Sequence, residues 1–497
     1  MSAPSLFDQL LVRSGWSSSG DDPQPIVPRV DRRSPDSLLS REHDALCRNA
    51  TDPLEIAAGL EAAGISDRHA RASYGAATVF ELAEKLYDQV PRRILATPLA
   101  NPWERPKREL MARGLVYALP GLLLVASAQR LVATDAMMML LLVSVVMAGV
   151  NQALARLYYA LLGRGQQSAA ASLLGYALVG SAVVGATVGS LLATVGAVSL
   201  RGAAVSTLAI IYLVSATVVL LLDRHGLLLR LLAPAVVISL FSMFLPPHLL
   251  PLAAAGAAEV VRIAGSLSVV GAFVAAWCLA RELSGPEGPA RAVSLTLGDL
   301  ADCLVLFAHG CLSMILLSLI PLTSLRTGSG TPEALGPVML PAMLSLGVAE
   351  VHLYGFRHRV TFLLSGGSVS PFAHAVRMHL LSRVKSYALV LVALTAAVAV
   401  VAHRSFEANA GASGHLLTYL LLCLALFVAS LLVSTGHVRK VAIIEVAALI
   451  LDVMLSHLSI GLAPMTSATA HVVSAGALTA MMLVFGWTLL GRVVSYR

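Results

Sequence analysis

From Arg113 onward the sequence consists of long runs of Leu, Val and Ala broken by short polar clusters. This feature leaves the chain few options. A run of about 20 apolar residues crosses a hydrocarbon core of about 30 Å as an α-helix, and the helix satisfies its own backbone polar groups there. The runs predict about twelve spans, at 114–133, 136–161, 168–196, 203–222, 227–246, 252–280, 298–321, 336–356, 386–402, 415–435, 441–462 and 467–490. Charged residues make up only 13% of the chain and its mean hydropathy is +0.79. Soluble domains carry about 25% charged residues. The expected fold class is therefore all-α: a polytopic membrane protein with about twelve transmembrane helices in two six-helix halves, behind a small N-terminal cytosolic helical region.

Charge placement orients these spans. With both termini in the cytosol, the inner loops and tail carry Arg156, Arg164, Arg224, Arg230, Arg281, Arg291, Arg357, Arg359, Arg377, Arg383, Lys385, Arg439, Lys440, Arg492 and Arg497. The outer loops carry Arg130, Arg201, Arg326 and Arg404. The alternation holds loop by loop, as an even number of spans requires. The start of the chain lacks a basic stretch followed by an uninterrupted apolar core, so no secretory signal is read there. The expected location is the inner (cytoplasmic) membrane, multi-pass, with both termini cytosolic. The net charge of +7 follows from this topology and gives no reason to expect nucleic acid. The cysteines Cys47, Cys278, Cys303, Cys311 and Cys423 form no CxxC pair and read as packing residues.

The chain divides by composition. Residues 1–50 are rich in Pro, Asp and Arg and read as disordered or loosely structured. Residues 51–93 read as a small cytosolic helical unit. Asp52, Pro53 and Glu55 start one helix, Ser66 starts another, and Thr78 and Glu81 form a capping box before a third. On that third helix Val79, Leu82, Ala83 and Leu86 share a face. A basic linker covers 94–113, a first six-helix membrane half covers 114–282, a cytosolic linker covers 283–297 and a second half covers 298–497. Between spans eight and nine a Gly-Gly break precedes a basic amphipathic segment, which is expected to lie on the inner membrane surface. In span three, Gly175, Gly180, Gly185 and Gly189 predict close helix packing.

No phosphate-loop, nucleophile-elbow or HExxH motif is present, and the outer loops are too short for a catalytic domain. The first outer loop offers Asp135 and little else. The chemistry that remains is a set of ionisable and amide side chains inside spans. A charge in hydrocarbon is costly, so such residues usually face a bundle interior or a wet cavity. Glu259 and Arg262 sit one turn apart in span six, able to pair. Asp299, Asp302 and His309 lie in span seven, Glu350 and His352 in span eight, and Asn151 and Gln152 in span two. In span eleven, Glu445 and Asp452 are seven apart and share a face, with His457 beyond them. Asp299, Asp302, Glu350 and Glu445 read equally well as residues reaching the membrane interface, Glu259–Arg262 as a structural pair, and His309 as a packing residue. Asp452 is the hardest to explain away, because no charge lies in the adjacent turns.

This layout resembles the multidrug/oligosaccharidyl-lipid/polysaccharide exporter superfamily: twelve spans as six plus six, termini inside, and a basic segment SVSPFAHAVRMHLLSRVKSYALV before span nine. Within it the polysaccharide-exporter branch, including Pel-type transporters, is most similar. The resemblance implies a flippase or exporter in which charged residues of spans one and seven line the cavity. Asp302 and His309 occupy span seven here. Span one offers Gln129 and Arg130 near its outer end, a departure from the pattern.

The expected function is export or flipping of a polysaccharide, glycolipid or lipid-linked glycan by alternating access, with no enzymatic activity and no cofactor. Arg262, Glu259, Asn151, Gln152 and His309 would contact substrate, and Asp452, Asp302, Glu445 and Glu350 would bind a coupling ion. Membrane lipids, the glycan substrate and a cytosolic synthase or regulator docked on residues 51–93 are the expected partners. Two other classes compete: a non-transporting scaffold whose N-terminal unit recruits a partner, and an intramembrane acyl- or glycosyltransferase using His309.

Overall fold

A computed structural model describes residues 39, 43, 46–47, 50, 52–89, 106, 108–116, 119, 134–196, 198–244, 251–284, 295–327, 332–365, 372–405, 412–458 and 467–490. For several helix ends only the backbone is described; Asp135, Glu259, Arg262 and His457 fall there. All regular structure among the described residues is helical.

The chain forms two compact units, residues 1–100 and 101–497. The first contains α1 (Pro53–Ala62), α2 (Asp67–Tyr74) and α3 (Val79–Gln89). The Asp52 carboxylate accepts from the Leu54 N–H at 2.8 Å, and Pro53 occupies the first helical position. Thr78 Oγ1 accepts from the Glu81 N–H at 3.2 Å. Glu81 reaches back one residue further than a standard capping box, to the Ala77 N–H at 2.7 Å. That bond, with Lys85 beside it, holds the Glu81 carboxyl below its ordinary value. The core joins Ile56, Leu60, Leu82 and Leu86 to Leu39 and Cys47, residues that precede α1.

The second unit carries α4 (Thr134–Gly163), α5 (Gln167–Thr194), α6 (Leu200–Leu221), α7 (His225–Phe244), α8 (Pro251–Ser284), α9 (Leu297–Thr327), α10 (Pro332–Ser365), α11 (Phe372–Ser405), α12 (Ala412–Ser434), α13 (Val438–Leu458) and α14 (Ser467–Leu489), preceded by a short helix at 108–116. Nine of the described helices are long and apolar enough to cross a membrane. α7 has only a shorter apolar described stretch, and α13 carries Arg439, Lys440, Glu445 and Asp452. Most of the expected first span, 114–133, lies outside the described residues.

Two hydrophobic cores hold this unit. One is built from residues between Val116 and Ala280, the other from residues between Leu316 and Leu490. Within the first group of helices α6 packs on α4, α5 and α8. Within the second, α12 packs on α14 and α10, and α13 on α14 and α9. The groups meet mainly where α4 runs antiparallel to α9. At that crossing a Cβ on Gly149 would meet Phe307 O at 2.7 Å, and one on Gly310 would meet Ala148 O at 2.6 Å. Backbone therefore lies on backbone. A second crossing of this kind brings Gly114 of the short helix against Gly347 of α10.

Two sequence expectations change. The basic amphipathic segment is not a separate surface helix: it is the first part of α11, continuous with the following span. Its apolar stripe (Phe372, Val376, Leu380 and Val384) is buried in the second core rather than left for lipid. Of the span-three glycines, Gly185 and Gly189 pack tightly on Thr207 and Ala203 of α6, with Thr207 Oγ1 donating to Gly185 O at 2.8 Å. Gly180 faces open space, and Gly175 has only Trp277 nearby, at 3.8 Å.

Candidate functional site

Two carboxylates on one face of α13 are buried within the second group of helices. Glu445 is 0% exposed and Asp452 2%. They lie two turns apart, about 10 Å along the helix. Each is matched to an imidazole and a hydroxyl from a neighbouring helix. His471 of α14 presents Nδ1 to both Asp452 oxygens, at 2.9 and 3.1 Å, and Ser474 donates its hydroxyl to Oδ1. His309 of α9 presents Nδ1 to Glu445 Oε2 at 2.9 Å, and Ser313 donates to Oε1 at 2.7 Å.

A buried carboxylate needs such donors, because an unpaired one would cost several kcal/mol of desolvation. These two are supplied from both flanks of α13. The arrangement differs from a nucleophile triad, in which the imidazole takes the hydroxyl proton on the nitrogen facing away from the acid. Here Ser474 and Ser313 donate to the acids, and each imidazole turns its Nδ1 to the same carboxylate.

Beside Asp452 the packing leaves only a small void, about the size of one water molecule. It is lined by Leu316 and Ile320 of α9, Thr418 and Leu422 of α12, Ala448 of α13, and Ala475 and Leu478 of α14, with Asp452, His471 and Ser474 in its wall. α9 is interrupted at this level by Pro321. Proline removes the N–H that would bond the carbonyl four residues back, and that carbonyl, Leu317 O, accepts instead from the Tyr419 hydroxyl at 3.0 Å. The remaining nitrogen of His471 lies 3.5 Å from Thr323 Oγ1, and His415 of α12 is within electrostatic reach of the same imidazole.

A second polar zone sits at the end of the bundle where α9 begins. Arg156 of α4 contacts Asp302 at 3.0 Å and Asp299 at 3.8 Å, and Arg164 bonds Asp299. Thr296 N–H also donates to Asp299, at 2.9 Å. Arg113 contacts Glu350 of α10 at 2.9 Å and Asp223 at 3.2 Å. Arg439 approaches Asp302 at 3.8 Å. The pairs made by Arg156, Arg164 and Arg113 with Asp299, Asp302 and Glu350 join the two helix groups at this end. Beside them Glu109, Asp223 and His225 bring ligand atoms within 4.8 Å of one another, with Arg113 already on Asp223.

The sequence candidates thus separate. Asp452, Glu445 and His309 enter the buried sites, whereas Asp302 and Glu350 enter the ion pairs between groups. Asn151 donates to Leu213 O of α6 at 3.4 Å, and Gln152 is exposed. The side chains of Glu259 and Arg262 lie outside the described set. Sequence reasoning missed His471, Ser474 and Ser313. A signal existed for them: His471 and Ser474 are three apart near the start of one apolar span, and His309 and Ser313 four apart in another, each pair on one face.

No protein-family model matches the chain, and no curated protein matches it in sequence. Solved structures do. The outward-facing conformation of a multidrug resistance MATE family transporter of the MOP superfamily superposes with a TM-score of 0.50 at 14% identity, covering 77% of this chain and 96% of that one. The fold is similar to that of a MATE transporter. A MOP superfamily transporter from Pyrococcus furiosus Vc1 (DSM3638) gives 0.48 at 15% identity over 78% and 95% of the two chains. A MATE protein in complex with MaD3S gives 0.47 at 14% over 79% and 96%. At such identities the likeness to the MATE structure shows the fold alone, that of a multi-pass helical membrane protein.

Proposed function

We propose that this protein is an alternating-access transporter of the inner membrane that exports or flips a polysaccharide, glycolipid or lipid-linked glycan, driven by a cation exchanged at Asp452 and Glu445. In this reading about twelve spans form two six-helix halves with both termini in the cytosol. The observation that carries it is the pair of buried carboxylates, each held by an imidazole, inside one of two separately cored helix groups. A carboxylate–imidazole pair with a neutral imidazole carries one negative charge, and taking up a proton or another monovalent cation brings it to zero, the state hydrocarbon favours. Separate cores support movement of one group against the other. The contacts between the groups include glycine crossings and ion pairs, and neither hydrophobic core extends across them.

Asp302 and Glu350 then serve as contacts between the groups at one end, and His309 serves Glu445. Arg262, Glu259, Asn151 and Gln152 are the substrate contacts to be tested, and residues 51–93 the docking unit for a cytosolic synthase or regulator. The glycan class rests on the sequence resemblance. The decisive experiment is flux of a labelled lipid-linked glycan into liposomes containing purified protein under an imposed pH gradient. Flux driven by the gradient in wild type and lost in Asp452→Asn is the expected result. Equal flux in both, or none in wild type, removes the reading.

A further inference from the structure

Where the end of α10 meets the start of α11, a cationic group has no acidic partner among the described residues. Arg383 of α11 lies across Gly355 of α10: a Cβ at Gly355 would fall 3.0 Å from the guanidinium carbon and both terminal nitrogens, so the guanidinium rests close against the glycine backbone. The guanidinium donates from Nε to His379 Nε2 at 3.3 Å and from Nη1 toward His352 Nδ1 at 3.5 Å. The same His379 nitrogen lies 3.4 Å from Gly355 O, so this imidazole bridges the guanidinium and the α10 backbone. His379 stacks on Phe356 at 5.9 Å, which fixes its ring. Arg359, exposed one turn from Gly355, is close enough to act electrostatically on His379. Its guanidinium also lies 5.1 Å over the ring of Phe362.

Among the described residues no carboxylate pairs with Arg383 or Arg359. The sequence explains why. α11, α12 and α14 contain no Asp or Glu, and Glu350 of α10 is engaged by Arg113. A surplus of arginine at this end of a membrane protein follows from the positive-inside rule alone. That rule does not call for a guanidinium seated on a glycine and oriented by two imidazoles. Depth adds a second argument. Lys385 is followed by the apolar run of α11, and Arg357 follows the apolar run of α10, so Arg383 and Arg359 sit at headgroup level.

We propose that the α10–α11 groove binds the phosphate of an anionic phospholipid headgroup. Arg383 supplies the planar, forked donor suited to phosphate oxygens, Arg359 supplies the second positive charge, and His379 holds Arg383 in place. The site lies on the flank of the second helix group, away from Asp452, and does not depend on what the protein transports.

The test uses the full-length protein in nanodiscs of phosphatidylcholine doped with phosphatidylglycerol, with retained lipid counted by native mass spectrometry after release into detergent. Wild type is expected to keep phosphatidylglycerol selectively. Arg383→Gln and Arg359→Gln should each lower that retention about tenfold, while Arg201→Gln, a charge removed elsewhere on the surface, should not. Arg359 is exposed, so its variant decides the matter even if Arg383→Gln fails to fold. Equal retention by wild type and both groove variants overturns the site. Displacement of the lipid by inorganic phosphate at comparable concentration overturns the lipid assignment and makes a soluble phosphate the ligand.

Discussion

The two helix groups of the membrane unit are built from the same kind of apolar helix but solve polarity differently. Among the described residues, the first group buries four serines, Ser181, Ser206, Ser215 and Ser268, and the hydroxyl-bearing Tyr158 and Tyr212, but no Asp, Glu or His. Each serine donates to a helix carbonyl, a role that asks nothing of another side chain. In the second group the buried set includes Asp299, His309, His352, Glu445, Asp452 and His471. Glu445 and Asp452 are tied to side chains of other helices. One group is therefore scaffold in its described part, and the other holds the titratable chemistry.

The largest test of this contrast is to remove a buried acid. Asp452→Ala leaves His471 and Ser474 without their acceptor and should destabilise the protein by about 3–5 kcal/mol, seen as a large fall in melting temperature in detergent. Ser215→Ala in the first group should cost about 1 kcal/mol or less. A comparable loss from both would erase the distinction. Asp452→Asn keeps the shape and should instead lower gradient-driven flux about tenfold or more, with Ser206→Ala near wild type.

A smaller effect is expected where the groups touch. Gly310→Val forces a side chain into the α4 backbone and should cost about 1–3 kcal/mol. Gly180→Val, at a site facing open space, should change the melting temperature little. If the two variants melt alike, the close crossing is not real. Smaller again is the Arg156–Asp302 pair. Its partners are 33% and 43% exposed, so a double-mutant cycle with Arg156→Gln and Asp302→Asn should return about 0.2–1 kcal/mol of coupling, weaker in high salt. The smallest lies in the N-terminal unit. The Glu81 carboxyl is held below its ordinary value, so its contribution is present at neutral pH and is lost as pH falls through the folded-state value. Glu81→Gln should flatten the acid limb of that unit's unfolding curve and leave neutral stability slightly lower.

Much of the helical layout was legible because long apolar runs form long apolar helices. Eleven of the expected spans have a long described helix over the corresponding residues. Asp452 and Glu445 were also legible, since an acid in an apolar run stands out and a spacing of seven places both on one face. Their partners were not. His309 meets Glu445 across 136 residues and Asp452 meets His471 across 19, and only the packing of α9 and α14 around α13 decides which imidazole faces which acid. The basic segment before span nine was misread for a related reason. Its amphipathic pattern suits a membrane surface as well as a protein core, and Phe356 and Val360 of α10, with Leu489 at the end of α14 and Leu490 just beyond, supply the core.

The glycine contacts between the groups have a mechanical consequence. Interlocked side chains would act as gear teeth, fixing α4 against α9 in one register. At Gly114–Gly347 there are no teeth, and at Gly149–Gly310 only Cys311 and Phe307 reach into the Gly149 notch. In the proposed transport cycle such a bare crossing would be the fulcrum about which one helix group tilts with its own packing intact.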